Sequence, residues 1–326
     1  MFSFLHKGNL MMNPCCSQRN FFSALPPLVP VQLPSRMESH FWYVLPHEVK
    51  SASLLDLYLE LLSPGEKENV FRMRDNELKK RAVLARALVR TTIARYLTNY
   101  QVVPRSLKFR KNIYGKPEVD WQIDDDSHRP PMHFNISHTS SLIACGVTMD
   151  VRIGIDVEEK QRKIKHNILA FAKRYFSPYE VEILAAITDH EVQRQEFIKL
   201  WTLKEAYVKA LGRGFSAAPF KTFTIRPKAI TIRGFDLHEK LYSEASEIIV
   251  ESSDDPKNIA SKWCFELLEL DGSHYAAICT EKHQTIQGEE SVPMKSYVWK
   301  TVPLVEDERV SDTVAVRSIR DSIKQL

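Results

Sequence analysis

Residues 134–159 read FNISHTSSLIACGVTMDVRIGIDVEE, and the fold turns on how this stretch divides. Leu142-Ile143-Ala144-Cys145-Gly146-Val147 is a continuous apolar run of strand length, which reads as a buried strand. Polar Thr139-Ser140-Ser141 leads into it and Met149-Asp150 closes it. A second strand follows from Val151 to Val157. Positions two apart on a strand share a face, so Asp156 and Glu158 project together while Ile155 and Val157 turn inward.

Upstream, Phe41-Trp42-Tyr43-Val44-Leu45 is rich in strand formers and ends at Pro46, giving an opening strand. Leu54, Leu55, Leu57, Tyr58, Leu61 and Leu62 recur at helical spacing until Ser63-Pro64-Gly65 interrupts them. From about Glu66 to Tyr100 the spacing predicts one long amphipathic helix. Val83, Leu84, Ala87, Leu88 and Ile93 form its apolar stripe, and Arg72, Arg74, Lys79, Lys80, Arg81, Arg86, Arg90 and Arg95 its basic face. Residues 102–121 read as two short strands around a turn at Tyr114-Gly115-Lys116-Pro117, and 124–131 as a polar loop.

Downstream, Ser177-Pro178-Tyr179-Glu180 is a helix start, with Ser as N-cap, Pro at the first helical position and Glu closing a capping box. Another helix runs from about Glu191 to Leu211 and ends where Gly212 can turn left-handed. Strand-like text returns at 222–226, 229–232, 248–250, 262–267 and 275–279. Strands mixed with a few long helices, without regular alternation, give the α+β class. No dinucleotide or phosphate-loop glycine fingerprint occurs.

The chain has 326 residues, 44% hydrophobic and 26% charged, enough for a buried core in about two domains. A formal charge of +4 is too mild to imply a nucleic-acid partner, and no run of about 18 apolar residues suits a membrane. Cys15, Cys16, Cys145, Cys264 and Cys279 show neither C-x-x-C spacing nor a His at ligand spacing, so free thiols in a reducing compartment are expected. Residues 1–36 hold no Asp or Glu, several Ser and the cations Lys7, Arg19 and Arg36, the composition of an organelle transit peptide. A mitochondrial leader over 1–37 is expected, with a plastid address or a cytosolic start at Met37 as alternatives. The rest then divides into a first lobe, 38–152, a second, 153–282, and an irregular polar tail, 283–326.

Two carboxylates on one strand face can share a hard cation, and Mg²⁺ takes a few carboxylates with phosphate oxygens and water. Alone, Asp156 and Glu158 are equally an ordinary solvated strand face. In WTLKEAYVKALG, 201–212, Glu205 and Lys209 stand one helical turn apart and could add a third carboxylate and an ammonium. Isolated pairs of that kind are common and contribute only about 0.3–0.5 kcal/mol. Asn135-Ile136-Ser137-His138 sets a hydroxyl and an imidazole just before a buried strand, both able to bind phosphate. A Ser-His nucleophile is the rival there, but no G-x-S-x-G elbow occurs and neighbours on an extended chain face opposite ways. Lys111 and Lys116, with Arg72, Arg74, Arg81 and Arg86, make a basic set suited to a polyanionic substrate.

Together and in this order, FNISH at 134–138, GIDVE at 154–158, RYFS at 174–177 with Glu180, and WTLKEA at 201–206 with Lys209 and Gly212 resemble the 4′-phosphopantetheinyl transferase superfamily. The chain is most similar to its long two-lobed type, which activates carrier proteins of fatty-acid, polyketide, peptide or lysine-pathway synthases. The resemblance spans about residues 38–282. It implies two similar α+β lobes related by a pseudo-twofold, each a small antiparallel sheet with a packed long helix, and coenzyme A between them. By the same likeness Asp156, Glu158 and Glu205 would ligate magnesium and Lys209 would contact phosphate. Asn135, Ile136, Ser137 and His138 would hold the 3′-phosphate end of coenzyme A, and Lys111, Lys116 and Arg81 would add cationic contacts, with Lys67 a weaker match. The implied reaction transfers 4′-phosphopantetheine from coenzyme A to a serine of an apo acyl carrier protein, with Glu205 as base. A chain duplicated in this way is expected to close its cleft as a monomer.

From the residues alone two other readings stay open. A magnesium-dependent nuclease also combines scattered acids with a Glu and a Lys, although there the Lys follows its acid by two residues on a strand rather than by four on a helix. A basic binding module would present the long basic helix to an acidic protein or RNA and would need no metal.

Overall fold

The computed structural model describes residues 27–98, 102–121, 131–164, 167–214, 218–227, 248–252, 262–282 and 294–319. Strand β1 (Glu38–Val44) comes first, followed by helices α1 (Ala52–Leu61), α2 (Pro64–Phe71) and α3 (Asn76–Tyr96). The single helix expected over 66–100 is therefore two. Ser63 and Glu66 close a capping box that starts α2, and the Asp75 side chain accepts from the Leu78 amide to start α3 afresh. Nor do all the cations of α3 face solvent. Arg90 is 2% exposed, pairs with Glu66 at 2.6 Å, and donates to the Pro104 and Leu107 carbonyls, while Arg95 turns in to Asp307.

The hairpin β2 (Phe109–Lys111) and β3 (Pro117–Val119) precedes β4 (Met132–His138), β5 (Ile143–Met149) and β6 (Ile153–Glu159). The FNISH run, read as the approach to a strand, is itself one. Then come α4 (Ile168–Tyr175), α5 (Pro178–Ala186), which starts at the expected Ser177 capping box, and α6 (His190–Leu211), which ends at Gly212 with φ 67°. Strands β7 (Phe223–Pro227), β8 (Ile248–Ser252), β9 (Trp263–Leu270) and β10 (His274–Glu281) follow. The strand expected at 229–232, most of the loop at 124–131, and residues 1–26 of the expected leader lie outside the described residues.

Two expectations about the ends of the chain are corrected. Residues 27–36 belong to the fold: Leu28, Val31 and Leu33 pack on the first core, and the Val31 amide donates to the Arg95 carbonyl. The tail is also structured, with β11 (Lys295–Val302), β12 (Glu306–Arg309) and β13 (Val316–Ser318). The sheet orders are β12-β11-β1-β5-β4 and β13-β9-β10-β6. Because β11 runs parallel to β1, the first sheet is mixed rather than antiparallel. The physical reason is that β11 has apolar partners on both faces: Val298 is buried between the sheets, and Trp299 stacks on Trp42 at 4.6 Å. The sheets thus differ in strand number and direction, and the expected twofold likeness of the lobes is not carried by their strand orders.

Side-chain alternation builds the α+β layers. Trp42 and Val44 of β1 face α1 to α3, while Phe41 and Tyr43 face a core between the sheets that also takes Ile155, Val157 and Ile278. Tyr275, Ala277 and Cys279 of β10 face α6. Each such large side chain contributes about 1.5–3 kcal/mol when fully buried. Cys145 and Cys279 are buried free thiols. Among the described residues no helix is long and apolar enough to cross a membrane.

The edges β4 and β6 run side by side where the sheets meet. Side chains join them: Asn135 Oδ1 accepts from the Ile155 amide at 2.8 Å, and Ser137 Oγ from the Val157 amide at 3.2 Å. This seam positions the site.

Candidate active site

Gly154 sets how closely α6 approaches β6. A Cβ there would lie 2.0 Å from the Ala206 carbonyl oxygen and 2.2 Å from the Ala210 nitrogen, so the helix rests on strand backbone. Trp201, Glu205 and Lys209, one turn apart, form the half-exposed stripe of α6. Lys209 reaches from it to Asp156 on β6.

Asp156 is 5% exposed. Its Oδ1 accepts from Lys209 Nζ at 2.7 Å and from the Ser137 hydroxyl at 2.9 Å, whereas its Oδ2 is buried without a hydrogen-bond partner. Lys209 Nζ also donates to Ser137 Oγ at 2.9 Å. Glu158 pairs with Arg162, whose guanidinium lies 5.6 Å from the centre of the Trp201 ring. Burial, and then the Asp156 charge, push the Glu158 carboxyl up to about 7, and the same two causes in the same order raise Glu205. Three repelling carboxylates, only partly offset by Lys209 and Arg162, mark a place short of positive charge. A hard divalent cation suits these oxygens and would give Asp156 Oδ2 the partner it lacks. In this conformation the carboxylates are not gathered as a ligand set: among the described residues no three His, Cys, Asp or Glu side chains are placed to hold a metal ion. Lys209 and Arg162 engage two of the three instead.

The remaining expected residues divide. Asn135 and Ser137 are buried and spend polar atoms on the β4–β6 seam; Ile136 packs against the first core, and His138 is exposed at the end of β4. Lys116, expected on phosphate, donates from Nζ to the carbonyls of Ile153 at 2.8 Å and Lys209 at 2.9 Å. It thereby caps the end of α6, where a cation is favoured, and burial holds it down to about 8. Lys111 is exposed on the hairpin. Arg81 donates back to the Glu77 carbonyl on its own helix, and Lys67 pairs with Glu60; neither is among the charges acting on Glu158 or Glu205.

Two features around the candidate site escaped the sequence. Lys204, next to the site residue Glu205, is fully buried and pairs with buried Glu180 at 2.8 Å. It also donates to the Phe220 and Phe223 carbonyls, while Glu180 accepts from the Ser177 and Ile225 amides. That network holds α5, α6 and β7 together. The capping pattern at Ser177 was visible, but nothing in the text signalled that its Glu faces a lysine. Arg162 had no signal at all, being one cation in a polar loop.

A cleft of about 320 Å³ opens between the hairpin, the start of β4 and the end of α6. Arg110, Lys116, Trp121, His133, Arg152 and Gly212 line it, among others. It begins one residue past Lys209, at Ala210.

A family model for the 4′-phosphopantetheinyl transferase superfamily matches residues 152–279, and one for the N-terminal part of 4′-phosphopantetheinyl transferases matches residues 50–148. The 4′-phosphopantetheinyl transferase Sfp of Bacillus subtilis (strain 168) is 32% identical over 194 residues, 59% of this chain and 79% of its own. The L-aminoadipate-semialdehyde dehydrogenase-phosphopantetheinyl transferase of Homo sapiens is 23% identical over 72% of this chain and 73% of its own. Among solved structures, the holo-[acyl-carrier-protein] synthase of Thermotoga maritima matches 43% of this chain and 70% of its own at 22% identity and TM-score 0.28, too slight a likeness to bear on the fold.

Proposed function

Because the chain belongs to the 4′-phosphopantetheinyl transferase superfamily, we propose that it moves the 4′-phosphopantetheine group of coenzyme A onto a serine hydroxyl of an apo carrier protein. The observation that carries this reading is the cluster of Asp156, Glu158 and Glu205 beside Lys209, with the buried Asp156 Oδ2 unpartnered. Asp156, Glu158 and Glu205 would hold a magnesium ion, which in such sites neutralises diphosphate charge and contributes several kcal/mol.

The chain's own residues do the rest. The serine oxygen bonds to the phosphorus on the pantetheine side, the bond from that phosphorus to the bridging oxygen breaks, and adenosine 3′,5′-bisphosphate leaves with that oxygen. The serine proton passes to Glu205. Lys209, half-exposed beside Asp156, donates to a diphosphate oxygen as charge builds there. The adenosine end suits the neighbouring cleft, where Trp121 offers a ring face and Arg110 and Arg152, paired here with Glu118 and Glu281, stand at the lining. His138 and Lys111 are both exposed and would offer further donors to a phosphate.

Intact-mass spectrometry of an apo acyl carrier protein incubated with this protein, coenzyme A and Mg²⁺ tests the proposal. A gain of one phosphopantetheine is expected, absent without metal and absent with Glu205→Ala. Undiminished transfer by folded Glu205→Ala would remove Glu205 from its role. No gain with any carrier protein, from a folded sample that binds no coenzyme A, would remove the reaction.

A further inference from the structure

Arg162 is the cation seated on Glu158, and its place is anchored from three sides. Its amide donates to the Glu159 carbonyl at 3.0 Å, its carbonyl accepts from Arg194 Nη1 at 3.4 Å, and its guanidinium lies over the Trp201 ring. Trp201 stands one turn before Glu205, so the indole walls the same stripe of α6. Beyond these anchors the side chain is 44% exposed, which leaves the guanidinium room to pivot on the indole. Its charge acts on Glu158 and Glu205 alike.

Arg162 Nη1 sits on Glu158 Oε1, so a divalent cation that takes this oxygen meets the guanidinium charge at the same place and favours its displacement. Once displaced, Arg162 stays tethered by its backbone and by Trp201 beside the one part of the molecule where a diphosphate would gather negative charge. A planar guanidinium presents two parallel N–H groups that match the non-bridging oxygens of a phosphate, which an ammonium cannot do. We infer that Arg162 is a substrate-binding residue held in reserve: it occupies Glu158 in the free protein, yields that place to the divalent cation, and turns onto the diphosphate of coenzyme A opposite Lys209. This rests on the transferase reading. The diphosphate, rather than the 3′-phosphate, is its target because its neighbours are Glu158, Glu205 and Trp201.

The test compares wild type, Arg162→Gln and Arg162→Lys for Mn²⁺ binding by electron paramagnetic resonance, and for coenzyme A and dephospho-coenzyme A binding by calorimetry at saturating Mg²⁺. Without nucleotide, Arg162→Gln should bind Mn²⁺ roughly two- to five-fold more tightly, the value of one partly exposed ion pair. With Mg²⁺ it should bind coenzyme A roughly ten-fold or more weakly, as expected for a lost charge-assisted hydrogen bond. Dephospho-coenzyme A, which keeps the diphosphate and lacks the 3′-phosphate, should lose the same factor, and Arg162→Lys should recover part of it. Unaltered Mn²⁺ affinity in Arg162→Gln, or a coenzyme A defect that disappears with the dephospho form, overturns the assignment. If wild type binds coenzyme A and both variants match it, only Arg162 is removed; if folded wild type binds neither Mn²⁺ nor coenzyme A, the transferase reading falls and takes this one with it.

Discussion

Trp42 Nε1 donates to the Tyr96 hydroxyl oxygen at 2.8 Å, and the same hydroxyl shares a hydrogen bond of 2.7 Å with His40 Nδ1. His40 is thus buried beside neutral aromatic partners. Burial lowers it to about 4, with Arg309 lowering it further and Glu38 opposing. The sign follows directly. Above pH 6.5 neither state binds the proton and this part of the stability is intact; from 6.5 down to about 4 the unfolded chain takes up a proton the folded one refuses, and stability falls. The full shift corresponds to about 3 kcal/mol. Urea midpoints measured from pH 7 to pH 4 should fall in wild type, and His40→Gln should flatten part of that slope. Parallel slopes would assign the acid sensitivity to other groups. Neighbouring letters could not have told such roles apart: in WTLKE, Lys204 is a buried structural cation and Glu205 a site residue, a distinction made by which face of α6 meets β7 and which meets β6.

Elements were legible where a local rule sufficed. The Ser177 capping box, the glycine stop of α6 and the apolar run of β5 each depend on residues within one turn or one strand. The break between α2 and α3 was missed because the capping aspartate, Asp75, sits in a run whose cations looked helical throughout. The role of Gly154 was invisible for another reason, since the atoms it must avoid belong to Ala206 and Ala210, some fifty positions on. Both are fixed backbone rather than the end of a side chain, so Gly154→Ala must push α6 away from β6. A loss of roughly 2 kcal/mol or more is expected from such overpacking, together with a fall in the proposed transfer as Glu205 and Lys209 move off Asp156. Gly65→Ala is the control, with nothing within 4 Å of an added Cβ in the first turn of α2; it should leave stability equal or raised by up to about 1 kcal/mol. If Gly154→Ala matches that control in both urea midpoint and transfer rate, the close approach is not what places the site.

The tail joins the two halves of the molecule: β11 and β12 extend the first sheet, β13 the second, and Val298 and Val310 help fill the core between them. Tyr297-Val298-Trp299-Lys300-Thr301-Val302 is rich in strand formers, a local signal that the reading of 283–326 as an irregular polar tail passed over. Its partner was not readable, because Lys295 pairs with Glu38 in parallel across most of the chain, and no local pattern encodes a contact at that separation. The outermost strand, β12, is Glu306-Asp307-Glu308-Arg309, fully charged and exposed, which discourages further edge pairing. Strand order then separates stability from chemistry. The tail strands occupy one edge of each sheet, whereas β4 and β6, which carry the site, occupy the opposite edges. Trp299→Ala removes the ring stacked on Trp42 and touching His40. Since Trp299 is only half-buried, the cost should be roughly 2 kcal/mol, below the 3–5 kcal/mol of a fully buried tryptophan. Urea unfolding should show that loss while the proposed transfer, measured well below the midpoint, stays within about two-fold of wild type, a difference of roughly 0.4 kcal/mol in the barrier. Transfer lost in a variant whose urea midpoint is unchanged would mean that the tail reaches the site by a route the strand order does not provide.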